Sequence, residues 1–492
     1  MSSAAPESGD VFIGLDLGTS GLKGVAMSGD GTLVATASAD YPTLRALPGR
    51  AEQDPADWFS AVADAVAQLA GRVPADRWAG IGLSAMIPTL VLADRDGASI
   101  GLLGTAITWE DDRADPDGER FRADAGEDDL YRETGQWVDG RYLIPMYRWI
   151  AREEPERAER AAWVLGAKDH LFHRLTGEVA TDPSTAAGFG CYSLASGAWN
   201  NELAGAPAAK LPPVESSSFA RGMSASAAAA LGLPPGIPVY LGAADSVCGA
   251  LGAGAVGPGD RVSLWGTSTV IMGVSAALTF DVAHRHLVTP LALGDRWGLE
   301  MDLVSTGSAI AWLAGMLGVG EAELFELAAM SPPGANGTSF LPYLGFGEQG
   351  ALWDPTLRGA IGQLTLAHTR ADVARALLEG IALEVRRCVR VLDESGVPPG
   401  PLVVAGGAAG SEMFAAMLAG ATGSNVTRIE HGRWISARGA AIVAAASAGA
   451  IDAEQGVAPP SGSTFVSRPE DAGTWDELAD RHDDLLRRTR SR

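Results

Sequence analysis

The chain has 492 residues, of which 47% are hydrophobic and 20% are charged, and its formal net charge is −23. That length predicts two or three domains, because a single core rarely organises more than about 250–300 residues. The acidic charge argues against a nucleic-acid partner, which requires a basic face. It does not argue against a nucleotide whose phosphates are held by backbone N–H groups and Mg²⁺. No apolar run reaches the roughly 18 residues of a membrane-spanning helix, so we expect no membrane partner.

Cysteine usage and the first residues predict a cytoplasmic protein. The three cysteines, Cys191, Cys248 and Cys388, are scattered and lack the spacing of a metal site. The first ten residues are polar and have no basic segment of the kind that opens a secretory signal. Both features are typical of a reducing compartment.

The first hundred residues alternate between strand and helix patterns. An apolar run at 11–17 predicts a strand, a Gly-Thr-Ser turn follows, and the next residues predict a hairpin around Gly-Asp-Gly at 29–31. The stretch 54–73 has helical spacing and begins with Asp54 as its N-cap. A second strand and hairpin follow, with an Arg-Asp-Gly turn at 95–97. This alternation is typical of an α/β fold.

The rest of the chain continues the α/β pattern after a helical interruption. The segment 115–235 is helix-rich and charged, and it is typical of an insertion on the first core. Beyond it, the pattern predicts a long amphipathic helix at 370–396 and a strand, glycine turn and helix at 401–423. A helix of small residues at 436–450 could pack very closely, and a charged helix follows in the tail.

The tripeptide Gly-Thr-Ser occurs twice, at 18–20 and at 266–268, about half the chain apart. Each copy stands between two apolar, strand-like runs. The pattern predicts two similar domains whose turns lie on opposite sides of one cleft, where a nucleotide and its acceptor would bind. A three-letter coincidence is the alternative, and the matching strands on both sides count against it.

The first turn has the residue types of a phosphate site. Glycine allows a phosphate to approach the backbone, while Thr19 and Ser20 add hydroxyl donors and Lys23 adds a cation. Asp16, at the end of the preceding strand, could hold hydrated Mg²⁺ on the phosphates. A plain hairpin capped by an aspartate is the alternative. Neither a Walker loop nor a dinucleotide fingerprint is present.

Asp245 follows a strand-like run and stands among small residues. A carboxylate in that position could accept the proton of a substrate hydroxyl as the hydroxyl attacks a γ-phosphate. The alternative is an N-cap aspartate, and one residue can serve both purposes.

Two further motifs are candidate ligand contacts. Gly406 and Gly407 open a glycine-rich turn that could lie flat against an adenine or ribose, or could serve only for packing. Trp109, Asp111 and Arg113 combine an aromatic face, an acceptor and a forked donor, which suits a polyol, although an ordinary surface loop has similar composition. No HxxH or HExxH pattern supports a zinc site, and no GxSxG supports a nucleophilic serine.

Taken in order, these motifs resemble the FGGY carbohydrate kinase family, and most closely its xylulokinase-like branch, over roughly residues 11 to 450. The resemblance rests on motifs that are weak singly and specific in this order: IGLDLGTSGLKGVAM (13–27), GRAEQDPADWFSAV (49–62), AITWEDDRA (106–114), HRLTGEVATDPSTAAG (173–188), GAADSVCGALGAG (242–254), LWGTSTVIMG (264–273), residues 340–365 and 370–382, and VVAGGAAGSEMF (403–414).

The resemblance implies two actin-like, ribonuclease H-like domains around a central cleft: an N-terminal domain at 1–252, a C-terminal domain at 253–450, and a tail at 451–492. It implies a kinase that uses ATP and Mg²⁺, with Asp16 on the metal side and Asp245 as the general base. Domain closure would exclude water from the reaction. A homodimer is common in the family. The nucleotide contacts it implies are Thr19, Ser20, Lys23, Gly266, Thr267, Ser268, Gly406, Gly407, Ala408 and Ser411.

Departures from the family pattern fall mainly on the sugar side. Xylulokinases typically carry a Gln-Met-His segment where this chain has Met86-Ile87-Pro88, and Pro88 cannot replace a histidine donor. This departure argues against the usual contact with D-xylulose. A ketopentose such as xylulose, or a related polyol, stays the expected substrate, and we expect Met86 and Pro88 to shape its pocket. Gln363 and Ala408 replace signature glycines, and Met146 stands where lysine is usual.

Two other functions are compatible with such a fold. One is a catalytically silent sugar or nucleotide sensor, although neither end resembles a helix-turn-helix DNA-binding module. The other is an actin-like or chaperone-type ATPase without a small acceptor, which the sugar-side motif and the small residues around Asp245 disfavour.

Overall fold

A computed structural model describes residues 10–94, 104–345, 347–407, 411–430, 432–454 and 458–490. The chain divides into two compact units. Unit 1 comprises Met1–Val256, Val288–Trp297 and Trp434–Ala458, and unit 2 comprises Gly257–Leu287, Gly298–Arg433 and Pro459–Arg492.

The described strands are β1 (Val11–Leu17), β2 (Gly21–Ser28), β3 (Leu33–Asp40), β4 (Glu52–Gln53), β5 (Trp78–Ala85), β6 (Thr89–Ala93), β7 (Ala106–Thr108), β8 (Trp163–Leu165), β9 (Tyr192–Ser193), β10 (Ala198–Trp199), β11 (Ala220–Gly222), β12 (Pro238–Ala244), β13 (Arg261–Trp265), β14 (Thr269–Ser275), β15 (Leu287–Pro290), β16 (Trp297–Leu303), β17 (Ser339–Leu341), β18 (Ala360–Gly362), β19 (Leu402–Gly406), β20 (Val426–Ile429) and β21 (Gly462–Phe465).

The described α-helices are α1 (Pro55–Ala70), α2 (Asp115–Ala125), α3 (Glu127–Thr134), α4 (Leu143–Glu153), α5 (Pro155–Arg160), α6 (Ala167–Thr176), α7 (Pro183–Ala187), α8 (Asn201–Ala204), α9 (Ala225–Leu231), α10 (Asp245–Gly252), α11 (Gly307–Leu317), α12 (Glu321–Ala329), α13 (Arg370–Glu394), α14 (Glu412–Thr422), α15 (Ile435–Ser447) and α16 (Ala472–Arg490). Short 3₁₀ turns lie at Ala75–Arg77, Ala208–Lys210, Ala335–Gly337, Gly432–Trp434 and Pro469–Asp471.

The main sheet of unit 1 has the strand order β3-β2-β1-β5-β12-β11. Strand β2 is antiparallel to both of its neighbours, β3 and β1. The next strands, β1, β5 and β12, are parallel to one another, and the edge strand β11 is antiparallel to β12. Buried strands such as β1 read as continuous apolar runs because both faces of the sheet are covered.

The second large sheet has seven strands in the order β15-β16-β14-β13-β19-β20-β21, and its six strands from β16 to β21 repeat the order of the unit 1 sheet. Here β13 and β14 are antiparallel, β13, β19 and β20 are parallel, and β21 is antiparallel to β20. Each Gly-Thr-Ser tripeptide lies in a turn at the same place, between β1 and β2 in unit 1 and between β13 and β14 in unit 2. The duplication predicted from the two tripeptides is therefore present as two sheets of the same order.

Helix α15 packs on the unit 1 sheet at very short range because glycines face it. A Cβ on Gly14 of β1 would lie 1.8 Å from the Ala437 carbonyl oxygen, and one on Gly82 of β5 would lie 1.9 Å from the Ala440 oxygen. This confirms the close packing expected of the small-residue helix. It also assigns residues 434–458 to unit 1, so the uninterrupted 253–450 domain predicted from sequence differs from the compact units. The boundaries at 252 and 450 stay predictions.

Most element predictions agree with the structure. Strand 11–17, the 29–31 hairpin and the Asp54-capped helix are present, and the Asp54 side chain accepts from Ala56 N at 2.8 Å. The Arg-Asp-Gly turn at 95–97 lies outside the described residues. The three cysteines are buried and free. Within the described ranges no single helix is long and apolar enough to cross a membrane, although the bent pair α11 and α12 passes that test together.

Candidate active site

Three parallel strands of unit 1 end in one row. The register pairs Leu17 of β1 with Ala85 of β5, and Ala85 with Ala244 of β12. Gly18 and Asp245 are the first residues beyond this row on the two outer strands. Neighbouring strands are about 4.8 Å apart, so the turn and Asp245 lie within about 10 Å of each other. The carboxyl edge of parallel strands is where open α/β sheets bind ligands.

Asp16 is a buried carboxyl group on the β1 strand, one residue before the row. It is 5% exposed, and its Oδ1 accepts a hydrogen bond from Ser84 Oγ at 2.9 Å. Burial raises the pKa of Asp16 above its usual value, while the Lys23 charge and the Ser84 hydrogen bond act in the opposite direction. Lys23 stands opposite Asp16 in the β1–β2 register. A carboxylate can accept several hydrogen bonds, so Asp16 retains capacity to bind a further donor or a metal ion.

Asp245 is the first residue of α10, and Ala244 occupies the N-cap position. The alternative that Asp245 is itself the N-cap is therefore wrong, because the strand continues through Ala244. Asp245 Oδ1 accepts from Ser246 N at 2.9 Å. Burial raises the pKa of the Tyr41 hydroxyl, and the charges of Asp16 and Asp245 add to the rise. The phenol is thus within electrostatic reach of both carboxylates.

Side chains from two later segments hold the first turn. The Tyr41 hydroxyl donates to the Gly18 carbonyl, and Gln53 Nε2 donates to the Thr19 carbonyl at 2.7 Å. Gln53 is fully buried and also donates to Thr43 Oγ1 at 2.8 Å. Tyr41, Thr43 and Gln53 were not among the residues predicted from the sequence. Gln53 lies inside the GRAEQDP segment of the family resemblance, which was the available signal.

The motif Trp109, Asp111 and Arg113 divides into two kinds of contact. Trp109 Nε1 donates to Thr19 Oγ1 at 3.0 Å, so a predicted sugar residue touches a predicted phosphate residue. Asp111 is 1% exposed; its oxygens accept from Ala51 N at 2.7 Å and from the Arg113 side chain at 2.7 and 2.6 Å. Arg113 also pairs with Glu52 at 2.5 Å. These contacts favour a structural role for Asp111 and Arg113, and their direct sugar contact stays a prediction.

Met86 and Pro88 follow β5 at the same edge. Met86 is 3% exposed and belongs to the hydrophobic core of unit 1, and its N–H donates to the Leu17 carbonyl at 2.9 Å. Pro88 is half-buried. Met86 therefore joins the ends of β5 and β1 through its backbone and packs its side chain into the core, while Pro88 is the more accessible of the two.

The second turn lies at the corresponding place in unit 2 but closes differently: Trp265 pairs with Thr269 across three residues, whereas Leu17 pairs with Leu22 across four in the first turn. Gly266 N donates to the Ser268 carbonyl at 2.8 Å, and the Thr267 carbonyl accepts from Ser308 N at 3.0 Å, at the start of α11. Gly266 and Thr267 are exposed. The turn thus leaves backbone groups and a hydroxyl accessible, as a phosphate contact requires.

The glycine turn after β19 is also in unit 2. Gly406 has φ of +115°, and a Cβ there would lie 1.9 Å from the Trp265 carbonyl oxygen, so only glycine fits. Nothing lies within 4 Å of a Cβ built on the exposed Gly407. Ser411 is the N-cap of α14 and accepts from Phe414 N at 3.4 Å. Ala408 lies outside the described residues. The open space at Gly407 is compatible with a flat ligand.

No group of three or more His, Cys, Asp or Glu suited to a metal ion occurs among the residues that the structure describes. Mg²⁺ on a nucleotide does not require one, because phosphates and water supply most of its ligands. The buried, incompletely satisfied carboxyl of Asp16 fits a single carboxylate contact to hydrated Mg²⁺.

Comparison with known proteins agrees with these features. The N-terminal domain model of the FGGY family of carbohydrate kinases matches residues 11–252, and the C-terminal domain model matches residues 262–448. A xylulose kinase of Bacillus subtilis (strain 168) is 30% identical over 445 residues, covering 89% of this chain and 88% of that protein. A gluconokinase of the same strain is 28% identical over 476 residues, covering 93% and 91%.

Solved structures with the same fold include a xyloylose kinase from Brucella ovis, with a TM-score of 0.89 and 28% identity, covering 98% of this chain and 99% of that one. A xylulose kinase from Rhodospirillum rubrum has a TM-score of 0.88 and 32% identity with the same coverage. This chain is therefore an enzyme with the two-domain, actin-like fold, and it belongs to the FGGY family of carbohydrate kinases, whose sugar kinases use ATP.

Proposed function

We propose that the protein transfers the γ-phosphoryl group of ATP to a hydroxyl of a ketopentose such as xylulose, with Asp245 as the general base. The observation that supports this proposal is the placement of Asp245 at the carboxyl edge of the unit 1 sheet, beside the turn that carries Thr19. The xylulose kinases among its relatives support the substrate class.

In the proposed reaction, Asp245 accepts the proton of the sugar hydroxyl as that oxygen forms a bond to the γ-phosphorus. The bond between this phosphorus and the β–γ bridging oxygen breaks, and ADP leaves. Positioning and charge neutralisation supply most of the rate enhancement in such transfers.

On the phosphate side, we propose Thr19, Ser20 and Lys23 of unit 1 as contacts, and Gly266, Thr267 and Ser268 of unit 2. Asp16 would hold Mg²⁺, which supplies positive charge against the phosphates when bound. Gly406, Gly407, Ala408 and Ser411 remain proposed nucleotide contacts.

On the sugar side, the Trp109 ring is the proposed direct contact, held by its hydrogen bond to Thr19. Pro88 presents no N–H donor, so this edge is less polar than a histidine would make it. We expect a ketopentose in preference to gluconate, because the relatives of 30% identity or more reported above are xylulose kinases, whereas the gluconokinase is 28% identical.

The test is a coupled ADP-release assay with D-xylulose, L-xylulose, D-ribulose, D-gluconate and glycerol. We expect turnover with one or two ketopentoses, and a loss of about 100-fold or more in kcat for Asp245→Asn with ATP binding retained. Asp54→Asn is the control, because asparagine caps a helix as well as aspartate does. ATP turnover without sugar, sugar binding without turnover, or full activity of Asp245→Asn would overturn the proposal.

A further inference from the structure

A network of buried polar side chains lies directly behind Asp245. Its centre is Asp182, the N-cap of α7, which is fully buried. Asp182 Oδ1 lies 3.0 Å from Lys168 Nζ and accepts from Thr185 Oγ1 at 2.6 Å. Asp182 Oδ2 accepts from the backbone N–H of Ser184 at 2.9 Å and from the Ser184 hydroxyl.

The network continues from Ser184 to the strand that carries the proposed base. Ser184 Oγ is 2.9 Å from Ala244 N and accepts its hydrogen bond. Because the single hydroxyl proton goes to Asp182, the direction of both bonds is fixed. Ala244 is the last residue of β12 and the N-cap of α10, and Asp245 comes next. The network thus ends on the residue immediately before Asp245.

An ordinary helix cap does not account for this arrangement. Capping α7 requires one oxygen of Asp182, whereas the second oxygen faces Lys168 on α6, which is 1% exposed. Lys168 Nζ also lies 3.5 Å from Oδ1 of the buried Asp169. A buried ion pair is poor evidence for stability, since burying two charges is expensive. Its better attested use is to impose one arrangement on the groups around it. Here the group fixed by the arrangement is the Ala244 N–H at the end of β12.

We propose that Lys168, Asp182 and Ser184 form a positioning relay that fixes the orientation of Asp245 for phosphoryl transfer. The relay rests on the proposed role of Asp245 as general base. None of its members touches the reacting atoms, and each acts through the next: Lys168 holds Asp182, Asp182 orients Ser184, and Ser184 fixes Ala244. A misplaced reacting group costs rate without costing the binding of either substrate.

The first test compares Ser184→Ala with Ser184→Thr. The alanine variant removes the acceptor for Ala244 N–H, so we expect kcat to fall about 10- to 100-fold while the KM values for ATP and sugar stay within about threefold. The threonine variant keeps the hydroxyl, so we expect it to recover most of the activity. Ser217→Ala is the matched control, because Ser217 Oγ reaches the same Asp182 oxygen only at 3.5 Å, while Ala244 N donates to Ser184 Oγ. Unchanged kcat in Ser184→Ala, or a loss explained by the unfolded fraction, would overturn the relay.

A second test combines Ser184→Ala with Asp245→Asn. If the relay acts through Asp245, the double variant should be no slower than Asp245→Asn alone. Losses that multiply would show an independent role for Ser184 and would overturn the relay. The two proposals fail separately. An active Asp245→Asn enzyme overturns the proposed function, whereas an inactive Asp245→Asn with a fully active Ser184→Ala overturns the relay alone. Lys168→Met is less informative, because its loss of the buried ion pair can prevent folding.

Discussion

At the scale of single residues, the clearest sign of function is a group that costs stability. Asp16 is nearly inaccessible, and burial raises its pKa above the usual value of 3.8. An acid with a raised pKa contributes its full share of stability only below its unfolded pKa, and loses it as the pH rises through the folded value. At neutral pH, the burial of Asp16 therefore lowers the free energy of unfolding.

This argument predicts opposite effects of Asp16→Asn on stability and activity. Asparagine keeps the acceptor for Ser84 Oγ and removes the buried ionisable group, so we expect the melting temperature of the ligand-free protein at pH 7.5 to rise by on the order of 2 °C. Activity in the ADP-release assay should fall about 100-fold or more. Asp30→Asn is the control. Hydrogen bonds from Ser28 and Thr32 lower the pKa of Asp30, so the same change should not stabilise there. A lower melting temperature for Asp16→Asn would contradict the prediction.

Individual residues also show where sequence patterns reach their limit. The departure at Gln363 was visible because a signature glycine was missing. The structure shows why a glycine would fit this position: Gln363 has φ of +60°, in the left-handed region that glycine adopts most easily. Trp109 was predicted as a sugar residue, but its bond to Thr19 joins positions ninety residues apart, and no local pattern encodes such a contact.

At the scale of elements, close packing of α15 determines which glycines are replaceable. Gly439 of α15 and Gly315 of α11 both lie inside helices. A Cβ on Gly439 would lie 1.7 Å from the Cys248 carbonyl oxygen in α10, whereas nothing lies within 4 Å of a Cβ on Gly315.

The two glycines therefore predict alanine substitutions of opposite sign. Gly439→Ala forces α10 and α15 apart and should destabilise by about 2 kcal/mol or more. Gly315→Ala should stabilise by about 0.5–1 kcal/mol, because alanine loses less backbone entropy in a helix. Urea unfolding of both variants checks this. A tolerated Gly439→Ala would mean that α15 does not pack on α10 as closely as the structure shows.

Element predictions succeeded where the signal was local. The strand at 11–17, the helix starting after Asp54 and the small-residue helix all follow from periodicity and capping. The partner of α15 could not be predicted, because its contacts with Gly14 and Gly82 join residues more than three hundred positions apart. The relay was missed for a similar reason: Asp182 and Ser184 lie within a recognised segment, but their link to Ala244 is a tertiary contact.

At the scale of the whole molecule, two copies of one strand order explain the repeated tripeptide. In each unit the turn follows the first strand of the parallel set. The duplication was predictable from the two tripeptides and their flanking runs. The assignment of residues 434–458 to unit 1 was not predictable, because a prediction that divides the chain at single positions assigns each domain one continuous segment.

The pH dependence of unfolding offers a last prediction, centred on Glu348 in unit 2. Burial raises the pKa of Glu348 to about 8, and the charges of Glu384 and Asp302 add to the rise. Its Oε1 accepts from Val304 N at 3.0 Å and Gln349 N at 2.9 Å. Between about pH 4.5 and pH 8, the folded protein holds a proton that the unfolded chain has released. The stability contribution of Glu348 is therefore complete below about pH 4.5 and is lost as the pH rises towards 8.

Glu348→Gln should remove that loss. Glutamine keeps an acceptor for both N–H groups and cannot ionise, so the urea midpoint should fall less between pH 5 and pH 8 than in the parent protein. The difference in slope is at most about 1.4 kcal/mol per pH unit, the value for one proton. Glu321→Gln, which removes an exposed carboxylate at the start of α12, should leave the parent slope unchanged. Parallel pH profiles for the parent and Glu348→Gln would show that the Glu348 carboxyl ionises in the folded protein as readily as in the unfolded chain, and that solvent or a cation reaches it inside unit 2.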